Sequence, residues 1–396
     1  MKAVILAGGY ATRLQPLSSR LPKLLLPVAG KPVAAYLFEM LKDAGVKEAV
    51  ISLNRRQGIV QSVLGGEYGG LKVSYVFEES KGDEDKLGAV GAMRFVAQQA
   101  KITEDCLIVG SDNFVYGLDL RKMVGEHKKR KPHATIALFD LVDKADVEHF
   151  GVALLEGRRI ARFQEKPRVE EAISKLASTA VYHVSSSFLK NLDKFVAERK
   201  AQGKKADRLG DLWEYLVKDE VLEGFAFQGV WGDIGSPETY IETNKLAMNF
   251  LTSGVIDKQG GAFFAGNQLH VAATAQIGAG AVIRGPAILE DGVRVGKDAV
   301  IGPYTHLMKA SAVGDNAAVS GSIVFEGAVI GGKCQVRDSI IDRNAILAEN
   351  CRVDDYSLIG EECALGEGCR VFSRTRLWPR LQIDREAVVE GTVRTR

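Results

Sequence analysis

The sequence lacks the features that mark disulfide-rich, zinc-ribbon and membrane proteins. Its five cysteines form no Cys-x-x-Cys pair, which argues against a zinc ribbon or a disulfide framework. No apolar run approaches the roughly 18 residues that a membrane-spanning helix needs. The apolar run at the start, residues 3–7, is too short for a signal peptide. We therefore expect a cytoplasmic protein.

An excess of charge of one sign is also missing. Lysine and arginine number 52 and aspartate and glutamate number 50, so the formal net charge is only +2. Such a balance gives no field for unspecific binding of nucleic acid, and we expect neither nucleic-acid nor membrane partners. Hydrophobic residues make up 46% of the 396 positions, which indicates a folded chain of two or three domains.

The N-terminal half alternates between short apolar runs and amphipathic segments. The runs predict strands at 3–7, 48–53, 72–77, 106–109 and 134–139. Helical patterns lie between them, notably at 33–41 and 91–99. This alternation predicts an α/β fold with a doubly wound sheet. Because such sheets bind ligands beyond the carboxyl ends of their strands, the segments that begin at Gly8 and Gly110 are the candidate ligand loops.

Glycine is abundant, at 42 residues, and much of it accompanies a six-residue repeat in the C-terminal third. From Val271 to Val389 an aliphatic residue recurs every six positions, with two steps of five, after Val319 and after Val336. This period predicts a prism whose three faces are short parallel strands, with roughly 18 residues in each coil. The pattern resembles the hexapeptide repeats of left-handed parallel β-helices, and the expected handedness rests on that resemblance.

The repeat also accounts for four of the cysteines and for one histidine. Cys334, Cys351, Cys363 and Cys369 each precede a register aliphatic by two residues, where most other coils have a small residue. We interpret them as buried packing residues without metal or redox chemistry. His306 is the only histidine deep in the repeat. It lies between register positions, so we expect it to face solvent.

A glycine-rich segment leaves the first predicted strand and leads to two basic residues. Leu6-Ala7-Gly8-Gly9-Tyr10-Ala11-Thr12-Arg13 is followed ten residues later by Lys23, within Pro22-Lys23-Leu24-Leu25-Leu26-Pro27-Val28-Ala29-Gly30-Lys31-Pro32. Such a turn lets backbone N–H groups approach a polyphosphate, and an arginine adds charge beside it. The composite resembles the N-terminal motif of the sugar nucleotidyltransferases, G-G-x-G-T-R-L…P-K…P-V…K-P. Ala11 stands where that motif has its third glycine.

Five further segments resemble motifs of the same family and occur in the family's order. They are Leu87–Ala92, Val109–Phe114, Phe150–Val152, Glu165–Pro167 and Trp231–Pro237. The resemblance implies transfer of a nucleotidyl group from an NTP to a hexose-1-phosphate, with release of pyrophosphate. Such a transfer needs positioned substrates and cations, and little from a protein nucleophile or base.

The resemblance also implies the roles of individual residues. Arg13 would neutralise the leaving pyrophosphate and Lys23 would bridge the two substrates' phosphates, as the catalytic pair. Asp112 and Asp233 would bind Mg²⁺. Nucleotide binding would fall to Leu6, Ala7, Gly8, Gly9, Ala11, Thr12, Glu78 and Gly88. The sugar phosphate would be bound by Asn113, Gly151, Glu165, Lys166 and Thr179.

The nucleobase and the hexose are less well specified. The insertion at 80–86 falls where the family contacts the base, so that either Glu78 or Glu79 is the candidate contact. Residues 112–117 are similar to the thymidylyltransferase group, which favours glucose-1-phosphate with dTTP or UTP as the best guess. The ending at 376–380 resembles the terminal coil of mannose-1-phosphate guanylyltransferases instead. That second enzyme is the main competing candidate.

Two more candidate functions involve the C-terminal half. Hexapeptide helices occur in bifunctional uridylyltransferase/glucosamine-1-phosphate acetyltransferases, but here no loop interrupts the register. A catalytically silent regulatory homologue would have lost motif residues that this chain keeps. We predict a catalytic domain at 1–237, a helical linker at 238–265 and a left-handed β-helix at 266–396. Since a stack of hexads leaves open flanks, we also expect a homo-oligomer held through the β-helix.

Overall fold

The computed structural model describes residues 1–79, 87–203, 207–250 and 263–394. These residues form two compact units. The first consists of Met1–Tyr10, Pro22–Leu25 and Pro32–Trp231, and the second of Ala11–Leu21, Leu26–Lys31 and Gly232–Arg396. The second unit therefore contains two short pieces of the N-terminal motif in addition to the repeat. The domain bounds 1–237, 238–265 and 266–396 stay a prediction.

A ten-stranded mixed sheet is the centre of the first unit. From one edge to the other, its strands are Gly151–Glu156, Arg159–Glu165, Leu222–Phe227, Ala134–Asp140, Leu176–Val184, Cys106–Gly110, Lys2–Leu6, Glu48–Asn54, Leu71–Glu78 and Glu67–Tyr68. The four strands from Cys106–Gly110 to Leu71–Glu78 run parallel. Leu176–Val184 runs antiparallel to both of its neighbours. The predicted doubly wound α/β sheet is confirmed, and every predicted strand is present.

Helices lie between these strands because their apolar residues recur on one face. In Val33–Asp43 the buried side chains include Val33, Leu37, Phe38 and Leu41, and the helix ends just before Gly45, whose φ is +80°. The α-helices described in this unit are Val33–Asp43, Gly58–Leu64, Gly88–Gln99, Leu120–Arg130, Phe188–Ala201 and Leu209–Leu216. Short 3₁₀ turns are Lys23–Leu25, Arg55–Gln57 and Lys144–His149, and two further strands are Asn113–Tyr116 and Val230–Asp233.

In the second unit the six-residue repeat forms a three-sided parallel β-helix, consistent with the predicted left hand. The first sheet contains Phe263–Ala265, Val282–Arg284, Val300–Ile301, Ala318–Ser320, Gln335–Arg337, Arg352–Val353, Arg370–Val371 and Val388–Val389. The second contains Leu269–Val271, Ala287–Leu289, Thr305–Leu307, Ile323–Val324, Ile340–Ile341, Leu358–Ile359, Arg376–Leu377 and Thr392–Val393. The third contains Gln276–Ile277, Arg294–Val295, Ala312–Val313, Val329–Ile330, Ile346–Leu347, Ala364–Leu365 and Gln382–Ile383.

Inside the β-helix, register aliphatics and small residues form one continuous core. The four cysteines of the repeat are buried there as free thiols, as predicted. The Cys334 thiol, for example, donates to the Ala348 carbonyl at 3.0 Å. Glycine is needed at the corners because the coils stack closely. A Cβ atom on Gly278 would lie 2.6 Å from the carbonyl carbon of Gly296 in the next coil.

One outer face of the β-helix is covered. We name as the covered row the outward-facing residues of the second sheet that are buried: Ile288, His306, Ile323, Ile340 and Leu358. The expectation that His306 faces solvent is therefore wrong. Its side chain is fully buried, and its Nε2 lies 2.7 Å from Glu290 Oε1.

The helix Pro237–Met248, the covering helix, is tied to two stacked residues that precede the strands of this row. Glu242 accepts a hydrogen bond from Tyr356 at 3.0 Å, and Lys245 lies 2.7 Å from Asp338 Oδ1. The segment Leu26–Lys31 contacts the covering helix, because the Tyr240 hydroxyl donates to the Pro27 carbonyl at 2.6 Å. The covering helix and this segment together exclude water from the covered row.

The remaining elements of the second unit are short. They are the 3₁₀ turns Thr12–Leu14 and Leu17–Ser19 and the strand Pro27–Val28, which is followed by the strand Lys31–Pro32. Among the residues described in the two units, no helix is both long and apolar enough to cross a membrane.

Candidate active site

The glycine-rich turn follows the strand Lys2–Leu6 and is fixed by residues at the end of the neighbouring strand Glu48–Asn54 and just after it. The Ala7 N–H donates to the Ser52 carbonyl at 3.0 Å. The Gly8 carbonyl accepts from the Asn54 amide at 3.0 Å, and the Gly9 carbonyl accepts from Gln57 Nε2 at 3.2 Å. The turn therefore has a defined conformation at the carboxyl edge of the parallel strands, where ligands bind in such sheets.

Glu78 lies directly against this turn. Its side chain is 2% exposed, and its Oε1 accepts from the Ser52 hydroxyl at 2.5 Å. Burial raises the pKa of the Glu78 carboxyl, and the hydrogen bond from Ser52 opposes that rise. A Cβ atom on Gly8 would lie 2.6 Å from the Glu78 carboxyl carbon, so a larger residue there would require the Glu78 side chain to move. Glu79, the other candidate base contact, is exposed and lies 3.5 Å from Arg55.

Gly88 begins the helix Gly88–Gln99 with φ +67°. The next residue, Ala89, donates its N–H to the Asp207 carbonyl at 2.9 Å. A Cβ atom on Gly88 would lie 2.5 Å from Asp207 Cα, so both the conformation and the close approach require glycine. Its nucleotide-binding role stays a prediction, and the insertion at 80–86 lies outside the described residues.

Lys23 and Asp112 form an ion pair in the first unit. Lys23 lies in the turn Lys23–Leu25, and Asp112 follows the strand Cys106–Gly110. Their Nζ and Oδ2 atoms are 3.0 Å apart, with 14% of the lysine side chain and 39% of the aspartate side chain exposed. Two residues that the sequence predicts as catalytic and metal-binding are thus in contact.

The Asp112 carboxylate is also held from its other side. The Asn113 amide donates to Asp112 Oδ1 at 3.2 Å, and the Trp231 indole donates to Asn113 Oδ1 at 2.8 Å. Phe150 packs on Trp231 with the ring centroids 4.5 Å apart. Sequence reasoning missed the indole as a positioning group, although Trp231 heads one of the recognised motifs. Asn113, predicted to bind the sugar phosphate, orients Asp112 in this structure.

Gly151 and Glu165 meet where the strands Gly151–Glu156 and Arg159–Glu165 pair. A Cβ atom on Gly151 would lie 2.9 Å from Glu165 Oε2. Burial is the main cause that raises the pKa of Glu165; nearby Lys166 opposes the rise, while Asp211 adds to it. The half-buried carboxyl can therefore accept or donate hydrogen bonds to a hydroxylated ligand.

Lys166 and Thr179 differ in their access to a ligand. Lys166 is exposed and has a left-handed backbone with φ +52°, and its N–H donates to the Phe150 carbonyl at 3.1 Å. Thr179 is fully buried, and its hydroxyl donates to the Ala137 carbonyl at 3.1 Å. The neighbouring Ser178 is only half-buried, and its hydroxyl lies 3.1 Å from the Tyr182 hydroxyl. Ser178 is the more accessible hydroxyl of this strand.

Arg13 and Asp233 belong to the second unit. Arg13 is exposed in the turn Thr12–Leu14, directly after Ala11, whose φ of 47° and ψ of 40° are left-handed. A Cβ atom on Gly235 would collide with Asp233 Oδ2 and would lie 2.9 Å from Arg13 Nη2. The two side chains therefore converge on the Gly235 backbone, next to the start of the covering helix.

The acidic residues permit a divalent cation without forming a complete cage. Across the described parts of the chain, no group of three or more His, Cys, Asp or Glu side chains is arranged to hold a metal. Mg²⁺ commonly takes one or two carboxylates and completes its octahedron with waters and substrate phosphates. The partly exposed carboxylate of Asp112 fits that chemistry, as does the carboxylate of Asp233 beside a cationic arginine.

The chain is similar over most of its length to curated nucleotidyltransferases. A UTP–glucose-1-phosphate uridylyltransferase of Synechocystis is 27% identical over 359 residues, which are 86% of this chain and 87% of that protein. A rice protein named probable mannose-1-phosphate guanylyltransferase 2 is 24% identical over 378 residues, 93% of each chain. A crystal structure of UDP-glucose pyrophosphorylase with UDP-glucose shares the fold, with a TM-score of 0.53, 23% identity, and coverage of 61% of this chain and 96% of that one.

Two sequence families match separate parts of the chain. Residues 283–393 match the family described as GMPPB C-terminal domain. Residues 2–249, which include all the proposed site residues, match the family described as Nucleotidyl transferase. The chain therefore belongs to the nucleotidyl transferase family, as a sugar-1-phosphate nucleotidyltransferase.

Proposed function

We propose that the protein joins glucose-1-phosphate to the nucleotidyl group of dTTP or UTP and releases pyrophosphate. The observation that carries the proposal is the Lys23–Asp112 pair, which sets a cation and a carboxylate side by side at the edge of the parallel strands. The thymidylyltransferase-like segment 112–117 and the uridylyltransferase of Synechocystis support this substrate choice. In the reaction a sugar-phosphate oxygen forms a bond to the α-phosphorus, and the α–β bond to pyrophosphate breaks.

Mannose-1-phosphate with GTP is the second candidate. It is favoured by the match of residues 283–393 to the GMPPB C-terminal domain and by the name of the rice relative. Pyrophosphate release should be measured with four nucleotides against four sugar-1-phosphates. The highest kcat/KM for glucose-1-phosphate with dTTP or UTP supports our proposal, and the highest value for mannose-1-phosphate with GTP supports the second candidate.

The roles of the two basic residues follow from where charge moves. Attack on the α-phosphorus brings two anions together and develops charge on the departing pyrophosphate. Lys23 has three donors on a side chain that Asp112 already holds in place, so it can bridge the phosphates of nucleotide and sugar. Arg13 has a planar set of donors suited to the phosphates of the leaving group.

Asp112 and Asp233 are the proposed ligands for Mg²⁺. When bound, the ion would neutralise negative charge on the substrate phosphates. Asn113 and Trp231 would support this role, because their hydrogen bonds fix the carboxylate plane of Asp112. Lys23 pairs with the same carboxylate at 3.0 Å.

The sugar-phosphate half of the site is proposed around Glu165. Its carboxyl would hydrogen-bond the sugar hydroxyls, while Gly151 leaves room beside it. The exposed ammonium of Lys166 would bind the sugar phosphate. The Thr179 hydroxyl already donates inside the sheet, so Ser178 is the hydroxyl that we propose for this pocket in its place.

Acetyl transfer by the C-terminal half is the third candidate, and the burial of His306 argues against it. An acetyltransferase base must meet a substrate that arrives from solvent, whereas His306 is covered and paired with Glu290. A thiol-release assay with acetyl-CoA and glucosamine-1-phosphate should show no turnover. A silent regulatory role is tested separately, since any pyrophosphate release rules it out.

A homo-oligomer in the cytoplasm completes the proposal. The outward residues Ala312, Val329, Ile346 and Ala364 are neighbours across the third sheet of the β-helix, and Ile346 is 50% exposed. This apolar row would be buried against a second copy of the chain. Light scattering on the full chain tests the assembly.

A further inference from the structure

The β-helix holds the segment that carries Arg13. This segment, Ala11–Leu21, groups with the repeat in the second unit. Arg376 donates from Nη1 to the main-chain carbonyl of Arg13 at 2.8 Å. A second tie is the ion pair of Arg20 with Glu361. Two coils of the β-helix therefore contact both ends of a segment whose arginine we place at the leaving group.

Arg376 stands in register with the covered row. It pairs directly with Leu358 in the second sheet, where Leu358, Ile340 and Ile323 all present buried apolar side chains outward. An arginine can pack its aliphatic stem along such a surface while its guanidinium reaches a polar partner. Arg376 is half-buried, and its guanidinium reaches the Arg13 carbonyl.

The second tie, the ion pair of Arg20 with Glu361, involves buried carboxyl groups. Glu361 is 8% exposed and Asp342 is 7% exposed, and both lie with Arg20 around one small cavity between the segment and the coils. Burial raises the pKa of Asp342 to about 6, while the positive charges of Arg343 and Arg20 oppose the rise. Arg20 thus supplies a cation for buried acidic groups, which fixes the C-terminal part of the segment on the β-helix.

We propose that Arg376 is a positioning residue for nucleotidyl transfer, because it fixes the main chain of Arg13 and so the place of the Arg13 guanidinium. The proposal rests on the role proposed above for Arg13. Stabilisation of developing charge requires donors that are held in place before the reaction. On this basis the β-helix takes part in catalysis through the contact of Arg376 with the Arg13 main chain, without touching a substrate itself.

The test compares Arg376→Ala with Arg370→Ala in the full-length protein. Arg370 begins the strand Arg370–Val371, as Arg376 begins Arg376–Leu377, but it is exposed on the first sheet. We expect Arg376→Ala to lower kcat by about tenfold or more while the KM of the sugar phosphate changes by less than about twofold. Arg370→Ala should keep the kcat of the parent protein, and thermal unfolding should be equal for both variants.

The decisive measurement repeats the substitution in an Arg13→Ala background. If Arg376 acts only through Arg13, Arg376→Ala should change the residual kcat by less than about twofold there. An equal loss in both backgrounds would overturn the proposal, as would a kcat for Arg376→Ala equal to that of Arg370→Ala. If Arg376→Ala folds poorly, Arg376→Lys, which keeps an aliphatic side-chain stem, should be compared in the same two backgrounds. A fully active Arg13→Ala would instead refute the role proposed for Arg13.

Discussion

Lys23 Nζ lies 3.0 Å from Asp112 Oδ2, so the structure joins two residues that are 89 positions apart in the chain. The lysine is largely enclosed, whereas the aspartate keeps part of its carboxylate accessible. This asymmetry lets Asp112 hold Lys23 on one side and remain open to a cation. It also means that changing Asp112 disturbs two proposed functions at once.

We predict that Asp112→Asn and Asp233→Asn each lower kcat more than about a hundredfold at ordinary Mg²⁺, because each removes a negative charge proposed to bind the cation. Initial rates should be measured over a range of Mg²⁺ concentrations. Asp140→Asn is the control, since this exposed residue pairs with Lys175 and has no proposed role in the site. A near-normal rate in either site variant would remove that residue from the proposed metal site.

Substitutions of the three basic residues at the site should differ in whether they change kcat or KM. Lys23→Ala and Arg13→Ala should lose kcat more than they raise KM, since both are proposed to meet charge that moves during transfer. Lys166→Ala should chiefly raise the KM of the sugar phosphate. Steady-state kinetics with each substrate varied in turn tests both statements. An increase confined to the KM of the nucleotide in Lys166→Ala would require its role to be reassigned.

Ala11 gives a prediction about stability. A left-handed conformation disfavours alanine by about 1 kcal/mol relative to glycine, and Ala11 has φ 47°. Ala11→Gly should therefore raise the free energy of unfolding and lower the KM of the nucleotide. Ala44→Gly is the control, because Ala44 has an ordinary φ of −79° and its change should destabilise. Denaturant unfolding measures the free energy of unfolding of each variant. A lower value for Ala11→Gly than for the parent protein would contradict the prediction.

Two buried histidines in ring contact predict loss of stability in acid. The rings of His127 and His183 lie 3.8 Å apart. Burial lowers the pKa of His127 to about 4, and burial together with the neighbouring His127 and Lys128 lowers the pKa of His183 to about 3. Both values lie below the ordinary pKa of about 6.5, so the unfolded chain binds more protons as pH falls from 6.5 toward 4. Stability should therefore fall across that window.

The test replaces one of the two rings. His183→Leu should reduce the loss of unfolding free energy between pH 7 and pH 5 by about 2 kcal/mol. His149→Gln serves as the control, because His149 is exposed. Denaturant titrations at the two pH values give the comparison. Identical pH dependence in the parent protein and His183→Leu would show that the pair does not govern acid stability.

The exposed apolar row of the third sheet predicts an assembly defect. Ile346→Glu should shift light scattering of the full chain to a smaller species, because it places a charge in the centre of the proposed contact. Gln382→Glu adds the same charge at the end of that sheet and should leave the mass unchanged. A parent protein that is monomeric, or an Ile346→Glu variant of unchanged mass, would contradict the proposed interface.

Local patterns were sufficient to predict the core of both units. The six-residue period identified inward residues such as Val319 and Cys351 correctly, because in a stack of coils the direction of each side chain depends on the repeat alone. The apolar run 3–7 likewise predicted a buried strand, which the structure places at Lys2–Leu6. In these cases short-range periodicity and burial agree.

Contacts between distant segments were beyond such patterns. His306 is buried because other parts of the second unit cover its sheet, which the spacing of the repeat cannot show. Thr179 is buried and its hydroxyl donates to the Ala137 carbonyl, in a stretch where the pairing of its strand is irregular. The contact of Arg376 with Arg13 joins residues 363 positions apart. Each depends on tertiary packing, which overrides local sequence preference.

The ties to the Ala11–Leu21 segment constrain how the β-helix can change in length. Adjacent coils are separated by about 4.8 Å, the spacing of neighbouring strands. If one whole coil before residue 342 were removed, the inward-facing residues would stay in register. A different coil would then occupy the place where Glu361 and Arg376 now contact the Ala11–Leu21 segment. A repeat array usually tolerates the gain or loss of a repeat. Here the number of coils between the covering helix and Arg376 is fixed, because Arg376 must reach the Arg13 carbonyl and Glu361 must reach Arg20.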